Sequence, residues 1–137
     1  MKFEFEIVDG DFARAGTASS QVKHILKQLN VDTKVIKRTT VAIYEAEVNV
    51  VAHATGGGKL LADINLERIC VEVIDEGPGI ADIEQAMVEG FSTASPEVIS
   101  MGFGAGMGLP NMRRNADKLE VISAEGEGTR VIITNFV

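Results

Sequence analysis

Two pairs of short apolar runs, each joined by a short turn, constrain the fold of this chain more than any other sequence feature. Residues 59–65 and 68–75 form the first pair, and residues 119–123 and 129–136 form the second around a Gly-Glu-Gly turn. Runs this short with so few residues between them favour antiparallel strands. The sequence therefore predicts a sheet whose neighbours are mostly antiparallel.

Helical periodicity dominates the residues before the first strand pair. An alternating strand is predicted over residues 2–8, and apolar side chains recur at helical spacing over residues 12–30. A longer helix is predicted over residues 32–54, with Asp32 as its N-cap and a run of glycines at its end. With a further helix after the first strand pair, the order β-α-α-β-β-loop-α-β-β indicates an α/β fold. We expect a two-layer sandwich, with a mixed, mostly antiparallel sheet and the helices on one face, formed by residues 1–137 as a single domain.

Composition and charge limit the functions that such a domain could serve. Hydrophobic residues make up 45% of the chain, but no apolar run approaches the ~20 residues that span a bilayer. The net charge of −7 argues against a nucleic-acid surface, which needs clustered Lys and Arg. The N-terminus alternates like a strand and does not resemble a signal peptide. We therefore expect a cytoplasmic protein without nucleic-acid or membrane partners.

The long helix carries the first group of candidate functional residues. Glu45 and Asn49 lie one turn apart on the same helix face. A carboxylate and a carboxamide oxygen in this arrangement can orient a water or hydroxyl and hold a hydrated Mg²⁺. An ordinary exposed helix face would explain the pair alone, but apolar neighbours such as Val48 and Val50 would half-bury it. Glu47 lies about 200° from Asn49 around the helix, so we expect it to face solvent.

A second candidate is the turn that follows the strand predicted to end at Asp75. A carboxylate at a strand end can accept a hydrogen bond from an exocyclic amine such as that of adenine. Gly77 and Gly79 would let the backbone approach the ring closely. A plain Gly-Pro turn with an aspartate cap explains the same residues equally well.

A third candidate is the glycine-rich run at residues 102–109, immediately before a helix predicted over residues 111–118. Inward-turned backbone N–H groups and a helix N-terminus make a natural phosphate cradle. The run matches neither a P-loop nor a Rossmann fingerprint, whose third glycine would fall on Met107 or Leu109. We expect a short helix over residues 82–89 and a mobile loop over residues 90–108, and a flexible loop without a ligand remains the alternative.

Together these motifs resemble those of the GHKL ATPases. The motif Glu45-x-x-x-Asn49 is similar to the N box, Asp75-x-Gly77-x-Gly79 to the G1 box, Gly104-x-Gly106-x-Gly108 to the G2 box, and Gly126-Glu127-Gly128-Thr129 to the last box. Four such boxes in this order span nearly the whole chain and are far more specific than any one of them. The short length and the Gly-Phe-Ser-Thr run at 90–93 most resemble the bacterial switch serine kinases and anti-sigma kinases.

The resemblance implies the Bergerat ATP-binding fold, with ATP and Mg²⁺ as cofactors. Glu45 would be the general base, Asn49 the Mg²⁺ ligand, Asp75 the adenine reader, and residues 90–108 the ATP lid. The other cofactor-binding residues that the resemblance implies are Gly77, Gly79, Gly104, Ala105, Gly106, Met107, Gly108 and Thr129. No Lys or Arg lies between Arg68 and Arg113, so phosphate charge would rest on Mg²⁺ and backbone N–H groups, which favours the switch kinases.

Two functions follow from the resemblance and remain open at the level of sequence. The first is a serine/threonine protein kinase and regulatory switch that acts on a STAS-type antagonist protein. The second is a nucleotide-gated protein that sequesters a sigma factor or another regulator, such as a phosphatase regulator, with little kinase activity. Glu45 favours the kinase, because a pure binding protein needs no base there. A homodimer is compatible with both.

Overall fold

The computed structural model describes residues 1–8, 10–53, 56–77, 79, 87, 108–123 and 126–137. Its helices are α1 (Thr17–Gln28), α2 (Thr33–His53) and α3 (Gly108–Asn115), and a 3₁₀ turn spans Phe12–Arg14. Its strands are β1 (Lys2–Ile7), β2 (Gly58–Ile64), β3 (Arg68–Asp75), β4 (Lys118–Ser123) and β5 (Thr129–Phe136). The predicted element order is confirmed for these residues. The helix predicted over residues 82–89 lies outside them, apart from Met87.

The strands form one five-stranded sheet in the order β1-β2-β3-β5-β4. Every pairing between these strands is antiparallel, including β2 with β3 and β4 with β5, the two pairs that the short turns predict. The final strand, β5, lies between β3 and β4 in the sheet. Asp75 at the end of β3 therefore lies opposite Thr129 at the start of β5.

The core lies between one face of this sheet and the helices. Alternate residues of the central strands, such as Leu60, Val71 and Ile133, are at most 1% exposed and pack against buried side chains of α2, among them Ile43. Burying one side chain of this kind stabilises the fold by about 1.5–3 kcal/mol. The opposite face carries charged residues, with Arg130 and Glu72 3.5 Å apart.

Helix α2 is the element that positions the candidate site, and its start is as predicted. The Asp32 carboxylate accepts a hydrogen bond from the Lys34 N–H at 2.8 Å, as an N-cap does. The helix continues to His53, and residues 54–55 lie outside the described part of the chain. In the part of the chain that the structure describes, even this helix lacks the combination of length and apolar character needed to cross a membrane.

Glu47 is buried, and the expectation that it faces solvent is wrong. Its side chain is 3% exposed because α1 packs over this face of α2. The carboxylate accepts hydrogen bonds from the N–H groups of Gly16, Ala18 and Ser19 and from the Ser19 hydroxyl. Helical geometry correctly placed Glu47 away from Asn49, but it did not reveal that the opposite face is covered.

Candidate functional site

Glu45 and Asn49 both face the first turns of α3. The Asn111 side-chain N–H donates to Glu45 Oε1 at 3.2 Å. One turn further along α2, the Asn49 carboxamide lies directly against Gly108, where a Cβ would come within 3.0 Å of Asn49 Oδ1. A side chain at this position would press against the Asn49 carboxamide, so the glycine lets α3 begin this close to Asn49 without displacing it.

Helix α3 begins at Gly108, three residues before the predicted start at Asn111. Pro110 is accommodated because the N–H groups of a first helical turn have no partner within the helix. Leu109 is 5% exposed and Met112 is fully buried, so both anchor the helix in the core. This packing orients the N-terminus of α3 towards the two polar residues of α2.

Glu45 is half-buried, and burial raises the pKa of its carboxyl above the ordinary value. The hydrogen bond from Asn111 lowers the pKa in part, but burial has the larger effect. A carboxylate that is poorly solvated and held by a neutral amide is a better proton acceptor than one in water. The site thus contains a group with the electrostatic character of a general base.

Asp75 is tightly held by the backbone on three sides. Its Oδ1 accepts a hydrogen bond from the Gly77 N–H at 2.9 Å, which closes the turn after β3. A Cβ on Gly128 would lie 2.3 Å from the Asp75 carbonyl oxygen. A Cβ on Gly58 would lie 3.3 Å from Asp75 Cα and 2.4 Å from the Ile74 carbonyl oxygen. Gly58 at the start of β2 and Gly128 just before β5 therefore permit the close approach that sets the position of Asp75.

Gly58 also links this end of the sheet to α2. A Cβ there would lie 3.2 Å from Val50 Cγ1, and Val50 follows Asn49 directly in the sequence. Gly58 thus lies between the end of β3 and the buried Val50 of α2. The sequence predicts only that this glycine run ends a helix. A glycine at the first position of a strand is the signal that could have revealed its packing role.

Thr129 lies opposite Asp75 in the sheet, on the strand that forms the other side of this end. Its hydroxyl is 2.9 Å from the Ser123 hydroxyl, which also donates to the Gly128 carbonyl oxygen at 2.8 Å. Gly79 has a φ of +77°, in the left-handed region that favours glycine. Asp75, Gly77 and Thr129 therefore lie together at one end of the central strands.

Some of the predicted site residues lie outside the described part of the chain. These are Gly104, Ala105, Gly106 and Met107, with the rest of the predicted lid before Gly108. Two described residues that the sequence analysis missed contribute polar contacts to the site. The Asn111 side chain donates a hydrogen bond to Glu45, and the Ser123 hydroxyl is hydrogen-bonded to the Thr129 hydroxyl. An asparagine one turn into the helix after a glycine-rich run was the available signal for the first.

Comparisons with known proteins bear on the family and the fold of this chain. The family model described as "Histidine kinase-like ATPase domain" matches residues 9–135. The anti-sigma F factor of Caldanaerobacter subterraneus subsp. tengcongensis is 35% identical, over all of this chain and 92% of that protein. The serine/threonine-protein kinase RsbT of Bacillus subtilis is 34% identical, over 80% of this chain and 78% of that protein. A solved structure of the mycobacterial sensor histidine kinase MprB matches with a TM-score of 0.56 at 15% identity, over 99% of this chain and 97% of that one. That likeness supports the fold alone.

Proposed function

Because this chain belongs to the histidine kinase-like ATPase domain family, we propose that it is an ATP-dependent serine/threonine protein kinase and regulatory switch. The observation that carries the proposal is Glu45, a half-buried carboxylate one turn from Asn49 and held by Asn111. Relatives named as an anti-sigma F factor and a serine/threonine-protein kinase support it. We further propose that its protein substrate is a small STAS-type antagonist and that residues 1–137 act as one domain.

The end of the central strands would bind the adenine. A carboxylate offers several acceptor positions, so Asp75 can receive the exocyclic amine as well as the Gly77 N–H. The close packing of Gly58 and Gly128 around the Asp75 backbone keeps this acceptor in place. Thr129, paired with Ser123 through its hydroxyl, would contribute a polar group on the neighbouring strand.

The phosphates would lie towards the N-terminus of α3. Gly108 begins this helix, and the adjoining residues 104–107 are the predicted cradle of backbone N–H groups. Asn49 is in contact with Gly108, so its carboxamide oxygen would be the protein ligand of Mg²⁺. Mg²⁺ fits this donor, because it takes oxygen ligands and is often held by few protein groups besides water and substrate phosphates. When bound, it would neutralise phosphate charge.

Glu45 would accept the proton of the substrate hydroxyl. As that oxygen forms its bond to the γ-phosphorus, the bond from phosphorus to the β,γ-bridging oxygen breaks and ADP leaves. Transfer of this kind depends mainly on positioning and charge stabilisation. The Asn111 amide positions the Glu45 carboxylate, and burial keeps the carboxylate basic enough to take the proton.

A nucleotide-gated binding protein is the second candidate function. The relative named anti-sigma F factor is compatible with it as well as with the kinase. Such a protein would bind ATP and sequester a sigma factor or another regulator with little transfer. The two functions differ in whether Glu45 is needed for activity.

The test is transfer of labelled phosphate from MgATP to purified STAS-type proteins. Glu45→Gln should retain nucleotide affinity but lower the transfer rate by about a hundredfold or more. Asn49→Ala should weaken MgATP binding as well as transfer. Glu120→Gln removes an exposed carboxylate on β4 and is the matched control.

Glu47, the nearest carboxylate on the other side of α2, is unsuitable as a control because it is buried. A Glu45→Gln variant that transfers phosphate at the wild-type rate would refute the kinase mechanism. Nucleotide binding without transfer in the wild-type protein would favour the nucleotide-gated binder.

A further inference from the structure

The buried carboxylate of Glu47 joins α2 to the first turn of α1. Its Oε1 accepts from the Ser19 N–H at 2.9 Å and from the Ser19 hydroxyl at 2.5 Å. Its Oε2 accepts from the Gly16 N–H at 3.1 Å and the Ala18 N–H at 3.2 Å. These donors include N–H groups that have no partner within α1, and the helix dipole favours a negative charge at this end. The buried charge is therefore matched by donors fixed in the backbone.

A second contact ties the same stretch of chain to the same face of α2. The Gly10 N–H donates to the Val51 carbonyl oxygen at 2.9 Å, and Val51 lies one helical turn beyond Glu47. The segment from Gly10 to Ser19 therefore runs along α2 and is bonded to it near both of its ends. This attachment lies on the side of α2 opposite to Glu45 and Asn49.

Helix α2 is thus held from two sides by residues that alternate along it. Glu45 and Asn49 contact α3, and Glu47 contacts α1. Buried residues such as Ala46 pack closely but without strong directional preference, so they constrain the rotation of the helix less sharply than hydrogen bonds do. Hydrogen bonds to backbone N–H groups weaken as their angles change, and they resist that rotation.

We propose that Glu47 is a positioning residue that fixes the rotation of α2 about its axis and so holds Glu45 and Asn49 against α3. Side-chain atoms lie roughly 5–6 Å from a helix axis, so a rotation of about 10° moves a carboxylate by about 1 Å. A displacement of that size can cost about a hundredfold in rate. The kinetic consequence rests on the proposed kinase function, but the structural consequence does not.

The test compares Glu47→Gln with Thr39→Val. Glu47→Gln keeps the size of the side chain but turns an N–H₂ group towards backbone donors. Thr39 is fully buried on the N-terminal half of α2, where its hydroxyl accepts from the Asn135 side chain at 3.0 Å. Thr39→Val therefore destabilises the same helix without altering its contact with α1. Thermal unfolding establishes that both variants are folded and how much each is destabilised.

The first readout is the side-chain amide resonance of Asn111, which reports on its hydrogen bond to Glu45 in the protein without nucleotide. It should shift clearly in Glu47→Gln and much less in Thr39→Val, which reaches α3 only indirectly, through Asn135 and the Asn115 carbonyl oxygen. The second readout is transfer, where Glu47→Gln should lower kcat by about tenfold or more while KM for ATP changes less than about twofold. Ser19→Ala removes only the hydroxyl donor and should cause a smaller change in the same direction.

The outcomes separate this proposal from the kinase function. Absence of transfer in the wild-type protein would refute the kinase, and the Asn111 resonance would still decide the role of Glu47. An unchanged Asn111 resonance in folded Glu47→Gln would overturn the positioning role. An equal loss of kcat in Thr39→Val would also overturn it, because general destabilisation would then explain both. If Glu47→Gln does not fold, an unchanged Asn111 resonance in Ser19→Ala would overturn the positioning role instead.

Discussion

Replacing Gly128 with alanine should destabilise the protein and displace Asp75. Gly128 has a φ of +79°, and a Cβ there would lie 2.3 Å from the Asp75 carbonyl oxygen and 3.3 Å from Glu76 Cα. Both neighbours are backbone atoms, so a side-chain rotation cannot relieve the overlap. The strand end that carries Asp75 must move instead.

The size of the effect is the sum of two costs. An alanine in the left-handed region costs about 1–2 kcal/mol. Relieving the overlap by a backbone shift costs about 1–3 kcal/mol more. The sum, about 2–5 kcal/mol, is a large part of the roughly 5–15 kcal/mol by which a typical domain is stable.

Gly126 offers a matched control two residues away in the same turn. Its φ is +81°, and nothing described lies within 4 Å of a Cβ built there. Gly126→Ala should therefore cost only the backbone part, about 1–2 kcal/mol. Urea unfolding of both variants measures the difference, and calorimetry with ADP should show weaker binding for Gly128→Ala alone. Equal destabilisation and equal ADP affinity in the two variants would refute the packing argument.

Three further predictions concern charged residues. Burial raises the pKa of Glu45, so the protonated side chain is favoured in the folded state. The contribution of Glu45 to stability is therefore largest below the ordinary pKa near 4.5 and is lost as pH rises through the folded-state pKa. Glu45→Gln should therefore be at least as stable as the wild type at pH 7, with its relative stability falling towards pH 4 in urea unfolding. The Phe136 N–H and Arg38 lower the pKa of Asp117, so its contribution is present above the ordinary pKa of 3.8 and is lost as pH falls through the folded-state pKa. Asp117→Asn should lower the free energy of unfolding by about 1 kcal/mol at pH 7 and by little in acid. Similar losses of stability at both pH values would contradict this role of the Asp117 carboxylate. Asp75→Asn should weaken ATP binding by about tenfold or more, because the new side-chain amide presents a donor to the adenine amine, which is itself a donor. In the wild-type protein, equal calorimetric affinities for ATP and GTP would rule out this adenine contact.

Local patterns in the sequence were sufficient to predict the helices and strands of the described residues and two of the four strand pairings. The β2–β3 and β4–β5 pairs follow from alternation and short turns, which act over a few residues. The start of α2 follows from Asp32, whose carboxylate caps the helix two residues later. The same local rules place Glu45 and Asn49 on one face, and the structure has both facing α3.

Contacts between distant parts of the chain decided what surrounds those residues. Asn111 reaches Glu45 across 66 positions, and the donors to Glu47 lie 28 to 31 positions away. Gly58 and Gly128 flank Asp75 only because β2 and β5 both pair with β3. Helical and strand periodicities specify the direction of a side chain relative to its own element. Burial, hydrogen-bond partners and pKa depend on which other element packs there, so helical periodicity alone places Glu47 in solvent although α1 covers it.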